Sequence, residues 1–192
     1  MENSKAQDIF TSGLVIRPEA NDNAIALGKY IVECIGADGK LKWVEETPNL
    51  VVNSGLKYMA GTSLDGVTTR ITSWFVGLKA AGTPAAGDTL NSHPSWAELA
   101  AGTVYTGNRP AATFAVATTP SGSGNPSVVT NSASKATFNI ITSTTVVGAF
   151  LCNAASGSTS SDTLFSAGDF SSSRSVVNGD TLQVTYTFSL SA

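Results

Sequence analysis

The sequence predicts an all-β protein: an antiparallel β-sandwich or jelly-roll-like domain with an extended N-terminal arm and a β-hairpin. Three observations carry this. The closing run alternates, with Leu182, Val184, Tyr186, Phe188 and Leu190 on one face and Thr181, Gln183, Thr185, Thr187 and Ser189 on the other. That period of two marks a half-buried strand. Short β-branched and aromatic runs, such as 136–141 and 145–152, recur between Gly, Asn, Asp and Ser. Nothing beside them has the length or period of a crossover helix, so the strands are expected to pair antiparallel.

Composition bounds the function. At 192 residues the chain has room for one β domain of ordinary size and a smaller element, or for two small domains. The net charge is −3 and charged residues make up 13%, about half the usual share, while Ser and Thr supply about a quarter of the chain. A surface wetted by hydroxyls suits packing against neighbours in an assembly. An apolar share of 42% argues against a disordered chain. No stretch groups Lys and Arg with aromatics, so nucleic acid is not an expected partner. No run approaches a membrane span, and the first residues lack the apolar core of a secretion signal, so synthesis in a cytoplasm is expected. Cys34 and Cys152 fall inside expected strands and read as free buried thiols, with a disulfide left open.

In chain order, residues 1–26 form a polar arm whose apolar patch is Ile9, Phe10, Leu14, Val15 and Ile16. Residues 27–49 form a hairpin: a strand at 29–35, a turn at 37–40 built on Asp38-Gly39, and a return strand at 41–46. The domain at 50–192 follows. A short helix is expected at 55–60, capped by Asn53 or Ser54, stopped by Gly61, and facing the core with Leu56, Met59 and Ala60. The run 73–78 is continuously apolar and reads as a central strand. Residues 79–105 form a long irregular stretch anchored by Trp96. A short strand at 113–117 and a Ser/Gly-rich excursion at 118–126 come next, then the β pattern to the end, with a second loop at 153–163. This makes roughly eight strands after residue 50. The tetrad Gly-Asp-Thr-Leu occurs at 87–90 and 179–182, and reads as coincidence because the surroundings do not repeat.

Catalytic material is sparse, and no catalytic, cofactor or metal residue is assigned. His93 is the only histidine, precedes Pro94, and has no nucleophile elbow to serve. It reads as a loop brace, even with Asp88 as a possible partner. No Cys-x-x-Cys, His pair or Asp-rich loop is present; Asp162, Asp169 and Asp180 would have to converge to hold calcium. Glu45, Glu46 and Glu98 show no glycosidase pattern. Trp43, Trp74 and Trp96 read as core or loop anchors, against the rival reading of a sugar platform.

Several motifs resemble a domain of tailed-bacteriophage structural proteins. They are Trp74-Phe-Val-Gly-Leu-Lys, Pro84-Ala-Ala-Gly-Asp-Thr-Leu, Trp96-Ala-Glu, Tyr105 and Asn108-Arg-Pro. Further on come Val147-Gly-Ala-Phe-Leu, Leu164-Phe-Ser-Ala-Gly-Asp-Phe and Arg174-Ser-Val-Val-Asn-Gly-Asp-Thr-Leu-Gln-Val-Thr-Tyr. Over about residues 50–192 the chain resembles head decoration (cement) proteins, and these motifs are turn-and-strand signatures. The resemblance implies a virion protein on the capsid exterior, binding the major capsid protein, as a homotrimer with a jelly-roll-like domain. On that expectation the arm segment 9–18, with Ile9, Phe10, Leu14, Val15 and Ile16, docks on the capsid or a neighbouring copy. Trp96 and Arg109 supply a second contact. A tail, collar or fibre component that binds host glycans is the alternative.

Overall fold

The computed structural model describes residues 25–120 and 125–191. The arm residues Ile9, Phe10, Leu14, Val15 and Ile16 lie outside the described residues.

Two antiparallel sheets of five strands form a β-sandwich. The first sheet takes β1 (Ile25–Ile35), β2 (Leu41–Pro48), β6 (Ser127–Thr130), β7 (Ala136–Asn139) and β10 (Thr181–Ser191). The second takes β3 (Leu50–Val51), β4 (Phe75–Gly82), β5 (Trp96–Glu98), β8 (Thr144–Cys152) and β9 (Leu164–Val176). Strand β10 is the spine of the first sheet. It pairs with β1 from Ile25↔Ser191 to Ile35↔Thr181, and its other side is shared by β6 and β7. The hairpin set apart at 27–49 is thus built into the sandwich, with β1 starting at Ile25. Its inward face carries Tyr30, Val32 and Cys34, matched across the strand pair by Tyr186, Val184 and Leu182, and all six side chains are buried. The alternation of the last strand therefore points where its period predicts, although Leu190 at its end is exposed.

The two sheets are tied by charge as well as by packing. Glu45, on β2, is buried. It accepts from the Ser171 amide at 2.7 Å and the Ser171 hydroxyl at 2.6 Å, and from Arg174 Nε at 2.9 Å and Nη2 at 2.6 Å. These donors lie on β9, so an inward carboxylate of an edge strand is satisfied by the opposite sheet. Burial alone would raise the Glu45 pKa, but the Ser171 and Arg174 hydrogen bonds outweigh it and hold the carboxyl below its ordinary value.

Strand β4 is apolar without alternation because both of its faces are covered. Val76 and Leu78 enter the inter-sheet core, whereas Phe75 packs with the smaller cluster of Leu90, Trp96, Phe150 and Leu164. The long segment that carries Leu90 and Trp96 thus lies over the outer face of the second sheet. Gly77 makes room for this arrangement, since a Cβ there would overlap the Phe150 ring.

Helix α1 (Asn53–Leu64) is longer than the expected 55–60 and sits differently. Its N-cap is Val52, with no side-chain cap; Ser54 instead donates to the Leu164 carbonyl at 2.5 Å. Gly61 is inside the helix, because its role is close approach: a Cβ there would meet Thr68 and Asp65. The helix stops at Asp65, whose carboxylate accepts from the amides of Val67 and Thr68. Gly55 faces β9, where a Cβ would overlap the Phe165 carbonyl. That seat turns Leu56 and Ala60 outward, leaves Met59 half-buried, and brings Tyr58 inward against Trp74.

The segment expected as a strand at 113–117 is irregular, although it runs beside β6 through Ala115 N–H to Thr130 and Thr118 N–H to Val128. The pieces around Leu164, Phe170 and Arg174 merge into the single strand β9. Eight strands, counting β3, run from residue 50 onward among the described residues. The repeated tetrad has a shared local role. Asp88 accepts the Ala85 amide at 2.7 Å and Asp180 the Val177 amide at 2.9 Å, each closing a turn three residues back, and Leu90 and Leu182 are both buried.

Candidate functional site

The residues singled out in the sequence fall into several separate settings. Trp96 is buried, and its indole N–H donates to Asp88 at 2.8 Å. The His93 ring stacks on Trp96 with centroids 3.8 Å apart, and His93 Nδ1 lies 3.0 Å from the Trp96 carbonyl. Asp88 accepts hydrogen bonds from the Trp96 indole and the Ala85 amide, so His93 and Asp88 are joined through the indole and not as an acid–base pair. Beneath Trp96, the Lys79 side chain is fully buried, with Nζ 5.4 Å from the indole centroid. It donates to the Gly82 carbonyl at 3.0 Å and to the Asp169 carboxylate. Lys79 reaches Asp169 across β8 at Gly148, which pairs with both. Burial lowers the Lys79 pKa, more than Asp169 raises it.

Arg109 is buried too. Its guanidinium grips Glu98 through Nε at 2.7 Å and Nη2 at 2.6 Å, and Nη1 donates to the carbonyls of Ala154 and Gly157. Burial works against the charged form, but the Glu98 hydrogen bonds prevail and raise the pKa. The two body contacts expected from the sequence, Trp96 and Arg109, are therefore both turned inward. The physical reason is the same for each: a long loop without regular hydrogen bonding is pinned by its few large polar-tipped side chains.

The other candidate sets do not assemble. Glu45 pairs with Arg174, Glu46 with Lys29 and Glu98 with Arg109. Asp169 meets Lys79, Asp180 meets Lys42 at 2.7 Å, and Asp162 closes a turn onto Thr159. Among the described residues, no group of three metal-ligating side chains comes together. Trp43 packs edge-on against Phe170, Trp74 against Tyr58 and Phe165, and Trp96 against Phe150, so the three indoles share no platform. Cys34 and Cys152 are free and buried, and burial pushes each thiol up to about 11.

What the sequence does not indicate is an aromatic cleft at the end of the sandwich. One wall is α1, with Tyr58 and Met59; the other is the end of the first sheet, with Val129, Phe188 and Leu190. Trp74 and Phe165 lie between them. The rings meet edge to face: Tyr58 to Trp74, Trp74 to Phe165 and Phe165 to Phe188 all have centroids 5.4 Å apart. The inner cavity measures about 240 Å³. A larger hollow of about 720 Å³ adjoins it, sharing Tyr58, Trp74, Phe114 and Val129 and opening past Arg70 and Thr113. Exposed Leu64 and Val116 stand on the flanking elements. The only sequence signal was the apolar share of the end residues of each element, which a period-based reading assigns to the core.

No protein-family model matches the chain, and no curated protein matches it in sequence.

Proposed function

We propose that the chain is a structural virion protein, a decoration protein that binds the outside of a tailed-phage head and clamps neighbouring major capsid subunits. The observation that supports it best is the outer face of the hairpin. Ile25, Leu27, Leu41 and Val44 are exposed there by 50%, 60%, 59% and 46%. By strand period Ile25, Leu27 and Val44 lie on the face of the first sheet that points away from the core, and a register shift after Cys34 sets Leu41 opposite Ile35. The ion pairs Lys29–Glu46 and Lys135–Glu33 lie on the same face and neutralise its charges in pairs. A stiff sheet with exposed apolar side chains and self-cancelled charge suits docking on another protein. Binding only the assembled shell would stabilise it by mass action. The low charge of the chain and its motif resemblance to cement proteins point the same way.

The test is to weigh the purified chain by light scattering, mix it with DNA-free heads of the phage that encodes it, and count bound copies. A trimer that loads each head in hundreds is the expected result. A Leu27→Asp/Val44→Asp variant should stay folded and lose occupancy. A chain that ignores the head but binds host-surface glycan would move the protein to the tail, collar or fibre.

A further inference from the structure

We propose that the aromatic cleft is the seat of this chain's own segment 9–16. The proposal goes beyond the decoration reading and does not depend on it.

The argument starts from where the described chain begins. Ile25 pairs with Ser191, and Ala26 pairs with Leu190. Leu190 itself lines the cleft, next to Phe188. The chain thus enters β1 at the rim of the cleft, with 24 residues preceding that point. Ile16 lies nine residue steps before Ile25, an extended reach of about 30 Å. That is ample to turn back across a rim formed by the neighbouring strand.

The chemistry of segment and seat agrees. From Ile9 to Ile16 the sequence is Ile-Phe-Thr-Ser-Gly-Leu-Val-Ile, which carries no charge. Among the described residues no charged side chain lines the inner cavity either, and its surface is dominated by Tyr58, Trp74, Phe114, Phe165 and Phe188. Both surfaces lose apolar contact with water when they meet. Thr62 and Ser63 on α1 supply the polar rim. Attachment decides between occupants of the same chemistry. A segment tethered by a short linker is present at the cleft at an effective concentration in the mM range, far above a second copy in dilute solution.

The full chain carrying Leu14→Asp and Ile16→Asp should keep its circular dichroism but bind the apolar dye ANS with a several-fold rise in fluorescence. A peptide of residues 7–18 should suppress that rise. An unchanged ANS signal overturns the proposal. A native chain that scatters as a dimer or larger, with the variant a monomer, also overturns it, because the occupant is then a second copy. An independent reading uses Thr62→Trp, which crowds the cleft from the helix wall. Chymotrypsin should cut at Phe10 and Leu14 several-fold faster in that variant than in the native chain, and equal rates overturn the seat.

Discussion

Arg109 and Glu98 form a two-pronged ion pair, at 2.7 and 2.6 Å, whose guanidinium also holds the carbonyls of Ala154 and Gly157. One side chain therefore fastens β5 to the loop that follows β8. The side chains are 5% and 21% exposed, so solvent screens the pair little.

Removing one partner of such a pair leaves the other charge buried and unmatched. Arg109→Ala should lower stability by about 3–5 kcal/mol in urea denaturation. Arg109→Lys should recover only part of the loss, because a lysine offers no fork. Proteolysis within residues 153–163 should accelerate in both variants. An Arg109→Ala loss under about 1 kcal/mol, the range of an exposed pair, would contradict the pinning role.

Alkali should unfold the protein through its buried phenols. Burial raises the pKa of Tyr30, Tyr105 and Tyr186 above the ordinary value. Above pH about 10 the unfolded chain gives up these protons while the native chain keeps them. The unfolded state then binds fewer protons, so the phenols' contribution to stability is complete below that pH and falls above it. The lowered pKa of Lys79 acts in the opposite direction, whereas the raised thiols of Cys34 and Cys152 add to the fall. Tyrosinate absorbance should rise together with loss of circular dichroism. The Tyr105 hydroxyl is buried and has no hydrogen-bond partner among the described residues, so Tyr105→Phe should leave neutral-pH stability intact and shrink the alkaline loss. Full ionisation of the phenols in a chain that is still folded would refute this.

Gly55→Ala tests the seat of α1. Alanine improves helix propensity by about 1 kcal/mol. Here its methyl would overlap the Phe165 carbonyl, a backbone atom held in β9. Overpacking of this kind costs about 1–3 kcal/mol, so the variant should be less stable despite the better helix former. A raised melting temperature would show that the helix can shift without loss.

Both thiols should be silent in the native state. Cys34 and Cys152 are fully buried, and burial pushes each to about 11. Ellman's reagent at pH 8 should label neither until denaturant unfolds the chain, since the thiolate is the reactive form. Labelling on mixing would place a thiol at the surface.

The strands were the most legible part of the chain. Leu182, Val184 and Tyr186 were readable as an inward face because period two is a local property of a strand with one side in the core. The turn residues Asp38-Gly39 marked the hairpin, and Gly39 indeed has a positive φ of 76°. Strand β9 looks broken in the sequence because Ser171, Ser172 and Ser173 have the composition of a loop; its pairing with β8 makes it one strand. Helix α1 looks too short in the sequence because Gly61 has the chemistry of a stop signal, whereas in the fold it serves a close contact with the loop at Thr68.

Sequence alone thus determined the fold class, the position of the hairpin, the closing strand and the anchoring of the long loop by Trp96. Each of these depends on neighbours within a few residues, where periodicity and turn chemistry act. Tertiary structure alone decided which distant groups meet. Lys79 and Asp169 are 90 positions apart, Glu45 and Arg174 129, and Arg109 and the Gly157 carbonyl 48. A charge looks the same in sequence whether it is solvated or buried, and only the partner that packs against it settles which. The aromatic cleft has the same origin. Tyr58, Trp74 and Phe188 come from three separate elements, and the hollow exists because the end of the sandwich leaves their shared space open.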